Sequence, residues 1–162
     1  MGSRFLLAAL LLTPIACASD DKTDRATLKG IKAVCVVVGV SAEAGRGGVD
    51  KNRLQTDIEG RLQRQGAPVD KNANACVYLN VRALRAMGGN GKPLPLYAAD
   101  FRLELLQTVA LTREATLKTF ASTWSSDNMT TVPAADLGET AMEIADSLVD
   151  QFAVAYKSVN PQ

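Results

Sequence analysis

Residues 31–40 read Ile-Lys-Ala-Val-Cys-Val-Val-Val-Gly-Val (IKAVCVVVGV). Six of the ten are Val or Ile. β-branched side chains favour extended backbone, and an apolar run this continuous predicts a central strand buried on both faces. Working outward, Ser41 to Val49 is rich in small residues and reads as a loop. Asp50 then supplies an N-cap for a helix to about Gln65, with Leu54, Ile58 and Leu62 on one stripe and Gly66 as its stop. The chain thus opens as strand, loop, helix.

After Pro68 and a polar stretch, ACVYLNVRAL (75–84) alternates. Val77, Leu79, Val81 and Ala83 take one side; Cys76, Tyr78, Asn80 and Arg82 take the other, as in a half-buried strand. MGGNGKPLP (87–95) is a turn-rich loop. Tyr97, Ala99, Phe101, Leu103, Leu105, Val109 and Leu111 then share a parity, opposed by Ala98, Asp100, Arg102, Glu104, Thr108 and Thr112. A turn near Arg113-Glu114-Ala115 leads into a fourth strand, Thr116 to about Ser126, and so short a link predicts a hairpin. From Ala134, the residues Leu137, Ala141, Ile144, Leu148, Phe152, Ala155 and Val159 recur at helical spacing. Acids lie early in that helix and Lys157 late, as the macrodipole prefers. The expected order is β-α-β-β-β-α, an α/β (α+β two-layer) fold. Its four-stranded mixed sheet would carry two helices on one face and leave the other face wet.

The N-terminus is of another kind. Arg4 precedes an apolar run from Phe5 to Leu12, followed by Thr13, Pro14, Ile15 and then Ala16-Cys17-Ala18 before acidic residues. A basic start, a short apolar core and small residues at a cut form a signal peptide over 1–18, leaving one domain over 19–162. Two processing readings stand. Ala16-Cys17-Ala18 is an A-x-A site for cleavage after Ala18, which makes the protein periplasmic or secreted. Alternatively Cys17 carries lipid at the outer membrane, although Pro14 and Ile15 stand where a lipobox has Leu and a small residue. Ser19 to Lys29 reads as polar and frayed. No stretch approaches the ~20 apolar residues of a membrane span, so membrane contact is expected only through lipid at Cys17.

Composition narrows the function. Of 162 residues, 47% are hydrophobic and 22% charged, a globular balance. Lys plus Arg number 18 and Asp plus Glu 17, which offers no uniform field for nucleic acid or an anionic membrane. There is no histidine, which excludes Ser-His-Asp and Cys-His catalysis and His-ligated metals. No cofactor and no metal site is expected. Cys35 and Cys76 are the only cysteines after Cys17 and make a poor metal site by themselves. On parallel neighbouring strands they are either bridged, as an oxidising compartment allows, or two buried thiols. Gly39, Gly45, Gly47 and Gly48 lie between strand and helix, but their spacing matches neither G-x-G-x-x-G nor a P-loop. Gly91-Lys92 precedes Pro93 between strands and is a loop as well. Asn128-Met129-Thr130 is a glycosylation triplet, without meaning in a bacterial chain.

Tyr78, Asn80 and Arg82, with Asp100, Arg102 and Glu104, line the polar sides of two adjacent strands. Three readings apply to them: a solvated face with cross-strand ion pairs, a binding surface, or an acid–base pair if Asp100 and Glu104 share a concave site. Trp124, the only Trp, is either core or an anchor of that surface, since mixed parity around Phe120 leaves its face open.

The segments LQTDIEGRLQRQG, YLNVRAL, YAADFRLELLQTVALTRE, ASTWSS and LVDQFAVAYKSVNP resemble a family of small secreted bacterial proteins without assigned function, from about Leu28 to Pro161. The element order is also similar to the envelope lipoprotein that helps assemble lipopolysaccharide transport, and to the N-terminal domain of the Tol-system periplasmic protein. These resemblances imply an exported accessory or binding protein of the cell envelope, with an envelope protein or complex as partner. A small secreted enzyme using the sheet-face carboxylates, and a structural subunit of a larger envelope complex, are the alternatives.

Overall fold

A computed structural model of the protein describes residues 21–161. The leader assigned to 1–18, with Cys17, lies outside the described residues. The elements are α1 (Lys22–Ala26), β1 (Cys35–Val40), α2 (Ala42–Arg46), α3 (Lys51–Arg64), β2 (Ala75–Met87), β3 (Pro93–Leu111), β4 (Glu114–Pro133) and α4 (Leu137–Val159). They build a two-layer α+β fold on one mixed sheet of order β1-β2-β3-β4. β1 runs parallel to β2, and the other neighbours are antiparallel.

The alternation of β2 and β3 sets the layers. Their register puts Val77 opposite Leu105, Leu79 opposite Leu103, Val81 opposite Phe101 and Ala83 opposite Ala99. All eight are buried. The helices cover this side of the sheet, α3 over β1 with Leu54, Ile58 and Leu62, and α4 over β3 and β4 with Leu137, Ala141, Leu148, Phe152 and Ala155. α3 starts where Asp50 accepts from the N–H groups of Asn52 and Arg53. It ends in a Schellman turn: Gly66, at φ +81°, donates to the Gln63 carbonyl and Ala67 to that of Leu62.

Several expectations change. β1 is an edge strand, with Val36 and Val38 toward the helices and Val37 exposed on the far side. Its apolar run is continuous because Cys35, on that far side, is bonded to Cys76 and sheltered by it. The stretch read as frayed contains α1, capped by Asp21, whose carboxylate accepts from Asp24 N–H at 2.8 Å. Leu28 just beyond it is fully buried, and Asn160 Nδ2 donates to its carbonyl at 2.9 Å. The loop after β1 holds α2, where Ser41 caps at Ala44 N–H. There are thus four described helices rather than two; the additional pair are single turns held by caps and tertiary contacts. β3 and β4 also run beyond their expected ends, and only Gly88 to Lys92 remains as the β2–β3 turn.

Charge ties the helix layer together. Arg61 on α3 reaches Asp150 on α4 at 2.7 and 2.8 Å and Asp146 at 2.9 Å, and Gln65 also donates to Asp150. The two acids differ. Hydrogen bonding to Arg61 holds the Asp150 carboxyl below its ordinary range. Burial, then a hydrogen bond with Asp57, pushes Asp146 above it. A lowered pKa means Asp150 stabilises the fold above the ordinary carboxylate range, and that contribution is lost as pH falls through its folded value. A raised pKa means ionised Asp146 is disfavoured by folding. At neutral pH, Asp150→Asn should therefore lower stability by about 0.5–1 kcal/mol, while Asp146→Asn is neutral or stabilising. Thermal melts at pH 7 check the order, and the Asp150→Asn deficit should shrink as pH is taken down through and below the ordinary carboxylate range.

The disulfide closes a loop between positions 41 residues apart. In the chain-entropy model this restricts the unfolded chain by about 4 kcal/mol. Cys35→Ala with Cys76→Ala should lower the melting temperature by roughly 10 °C, and reduction of the native protein should give the same shift.

Candidate functional site

The helices cover one side of the sheet, and the other side is the candidate site. Period-2 alternation puts Tyr78, Asn80 and Arg82 of β2 there with Asp100, Arg102 and Glu104 of β3. The register sets Tyr78 opposite Glu104, Asn80 opposite Arg102, and Arg82 opposite Asp100. Arg82 Nη2 and Nε both reach Asp100 Oδ2, at 2.6 and 3.0 Å. Arg102 Nε lies 3.3 Å from Glu104 Oε1 on the same strand. In the first pair the Arg82 side chain is 64% exposed and that of Asp100 21%, so the guanidinium stands above its carboxylate. Arg102 and Glu104 are arranged alike.

The ends of this face differ. At one end, Cys35 and Cys76 are bridged with Cα atoms 4.4 Å apart, clamping edge strand β1 to β2. Tyr78 then leans along β2 across Gly39, where a Cβ would stand 2.4 Å from the Tyr78 hydroxyl. Glycine at 39 thus gives the ring its place. At the other end, Ser41, Arg82, Leu84, Ala98, Asp100 and Met129 line a shallow cleft of about 460 Å³. Leu84 on β2 is 75% and Met129 on β4 78% exposed, large values for apolar side chains that flank β3 from either side.

Trp124 does not belong to this face. It is 1% exposed, and its ring meets Phe152 of α4 edge-on, with centroids 5.3 Å apart and planes at 74°. The reason is a bulge. Leu105 pairs with Trp124 but Leu106 with Ser122, so Thr123 is an extra residue. Phe120 and Trp124 share sequence parity yet face opposite sides, and Phe120 is exposed. Sequence reading also passed over Leu84 and Met129. Their signal was apolar character at positions whose parity points away from the core.

The arrangement favours contact over catalysis. Asp100 and Glu104 are four residues apart on one strand, about 13 Å, with Arg102 between them. Each carboxylate is engaged by an arginine. Paired carboxylates that share acid–base work lie ~5–9.5 Å apart around a reacting atom. Among the described residues no group of His, Cys, Asp or Glu is placed to hold a metal ion. No described helix is long and apolar enough to cross a membrane. The native tryptophan reports its placement directly: emission should be blue-shifted and resistant to acrylamide, whereas a surface anchor would emit near the position of free indole.

No family model matches the chain, and no curated protein matches it. Among solved structures there are similarities. It is similar to the PelC L103M dodecamer from Paraburkholderia phytofirmans, with TM-score 0.46 and 16% identity over 75% of this chain and 88% of that one. It is similar to the rare lipoprotein B from Shewanella oneidensis, with TM-score 0.38 and 14% identity over 78% and 98%. A minor lipoprotein from Acinetobacter baumannii is similar with TM-score 0.29 and 12% identity over 80% and 94%.

Proposed function

We propose that this protein is an exported, non-enzymatic accessory domain of the bacterial cell envelope, and that its uncovered sheet face docks a partner protein. The observation that carries the reading is the composition of that face. Two arginines project above their carboxylates, beside two large apolar side chains that the fold leaves in water. Arg, Met and aromatic residues are the types enriched where protein interfaces concentrate their energy. A partner that fits would bring an apolar group to the Leu84–Met129 cleft and acceptors to Arg82 and Arg102. The Cys35–Cys76 bridge supports an oxidising compartment, in keeping with the leader pattern of 1–18. A permanent place in a larger complex is favoured by the same exposed apolar pair, and gel filtration of the native material separates it from a transient contact.

A photo-crosslinking amino acid at Leu84 or Met129, in cells making the protein with its own leader, should give adducts to one partner. The same group at Val154, exposed on α4, should give none. Swapping Arg82→Asp with Asp100→Arg preserves an ion pair and the melting temperature but inverts the pattern, and the adducts should be lost. Equal adducts from Val154, or adducts indifferent to the swap, would overturn the docking face. An intact mass beginning at Ser19, or at a lipid-modified Cys17, supports export; a chain retaining Met1 refutes it.

A further inference from the structure

We propose that the end of the molecule opposite the Leu84–Met129 cleft is a docking surface for an anionic lipid bilayer, with the β3–β4 hairpin as its contact element. The last residue of β3 with a β2 partner is Gln107, opposite Ala75. From Thr108 to Phe120 the chain is a two-stranded hairpin, reaching roughly 15 Å past the sheet. A two-stranded ribbon has no core beneath it and cannot bury its own apolar side chains. Yet this one carries Phe120 at 64% and Leu117 at 46% exposure, with Val109 and Leu111 only part-covered.

The surroundings are basic. Segment 27–33 meets the root of the hairpin: Gln107 Nε2 donates to the Thr27 carbonyl at 3.2 Å, and Thr27 Oγ1 donates to the Thr123 carbonyl at 3.0 Å. Ile31, Lys32, Asn72, Asn74, Gln107 and Thr108 line one cleft there, which brings segment 70–75 to the same end. Together, segments 27–33, 70–75 and 108–120 hold Lys29, Lys32, Lys71, Arg113 and Lys118 against Asp70 and Glu114, five cations to two acids. All five cations are exposed, and none is within ion-pair distance of an acid among the described residues. Asp70 is turned to its own turn, accepting from Asn72 N–H at 2.9 Å. The acids of α4 run from Glu139 to Asp150, away from this end, where Lys157 stands in its last turn.

Apolar side chains ringed by cations match the chemistry of an anionic headgroup layer over acyl chains. A second copy of this chain fits less well, because a two-fold contact here would set cations against cations. Segment 27–33 follows directly on α1, which opens the described chain at Asp21. Cys17 is four residues earlier, at most ~15 Å of extended chain. Lipid on Cys17 would keep the hairpin root, which Thr27 touches, within reach of a bilayer, and one acyl signal with one basic apolar surface is the combination that gives stable anchoring. The inference does not depend on the sheet-face partner, which the Arg82/Asp100 swap tests separately.

The test replaces Phe120 with Trp. The protein is mixed with vesicles of phosphatidylcholine alone, or with added phosphatidylglycerol, carrying brominated acyl chains. Trp emission should shift to the blue and be quenched only with phosphatidylglycerol, and salt should reverse both. Buried Trp124 supplies a constant background, read from the unsubstituted protein. Arg113→Glu with Lys118→Glu should weaken vesicle binding at least about tenfold without moving the melting temperature. Absence of quenching on anionic vesicles, or equal quenching on both kinds, would overturn the proposal. So would a dimer in solution that Phe120→Ser dissociates, since the hairpin would then belong to a second copy. Should the charge reversal unfold the protein, the quenching result decides alone.

Discussion

The register between β2 and β3 is the constraint on which the rest depends. Side chains alternate with period two, so a slip of one residue would turn the faces of one strand over relative to the other. Either Val77, Leu79 and Val81 would then face water with Asn80 and Arg82 under the helices, or Leu103 and Leu105 would face water with Asp100, Arg102 and Glu104 under them. Burying those charges without their present partners costs several kcal/mol each, which fixes the register beyond dispute. α3 and α4 pack where the apolar side is, and the charged lattice is left outside as a consequence. The candidate site is thus the complement of the core.

Once the register is set, the two sheet edges are managed differently. β1 is short, and the Cys35–Cys76 bond ties it to β2 from the open side while Val36 and Val38 tie it to the helices. β4 is long, and it changes role along its length. Toward Val132 it closes the core; at Trp124 the Thr123 bulge turns a large ring under α4; past Ala121 it leaves the body with β3. A bulge twists and bends its strand, so one extra residue marks where the sheet stops being a layer and becomes a projecting ribbon.

Much of this was legible in the chain. Period-two patterns in 75–84 and 97–111 identified the paired strands, and the Leu54/Ile58/Leu62 and Leu137-to-Val159 stripes identified the helices, because burial on one face imposes those periods. What could not be read depends on contacts distant in sequence. α1 and α2 are too short to show a period and exist through Asp21, Ser41 and their neighbours. β1 looked central because the disulfide let an apolar residue stand on its outer side. Trp124 had no readable face because the bulge breaks parity between it and Phe120. The charge tally was correct and uninformative, since a sum of signs does not record which cations stand without an acid beside them.

The projecting hairpin gives the open face a direction. β3 runs continuously from the Leu84–Met129 cleft to the projecting hairpin, and from Ala98 to Thr108 it advances ten residues, about 33 Å. With the basic end on a bilayer, the strands stand away from the membrane, and the cleft becomes the part of the face farthest from it. The arginine lattice then forms a wall rising from the surface, open to a protein approaching from the aqueous side. The screening length at physiological salt is about 8 Å, so the headgroup field does not reach Arg82 or Arg102. The two surfaces can therefore be occupied independently, one holding the molecule in place and the other leaving its partner free to exchange.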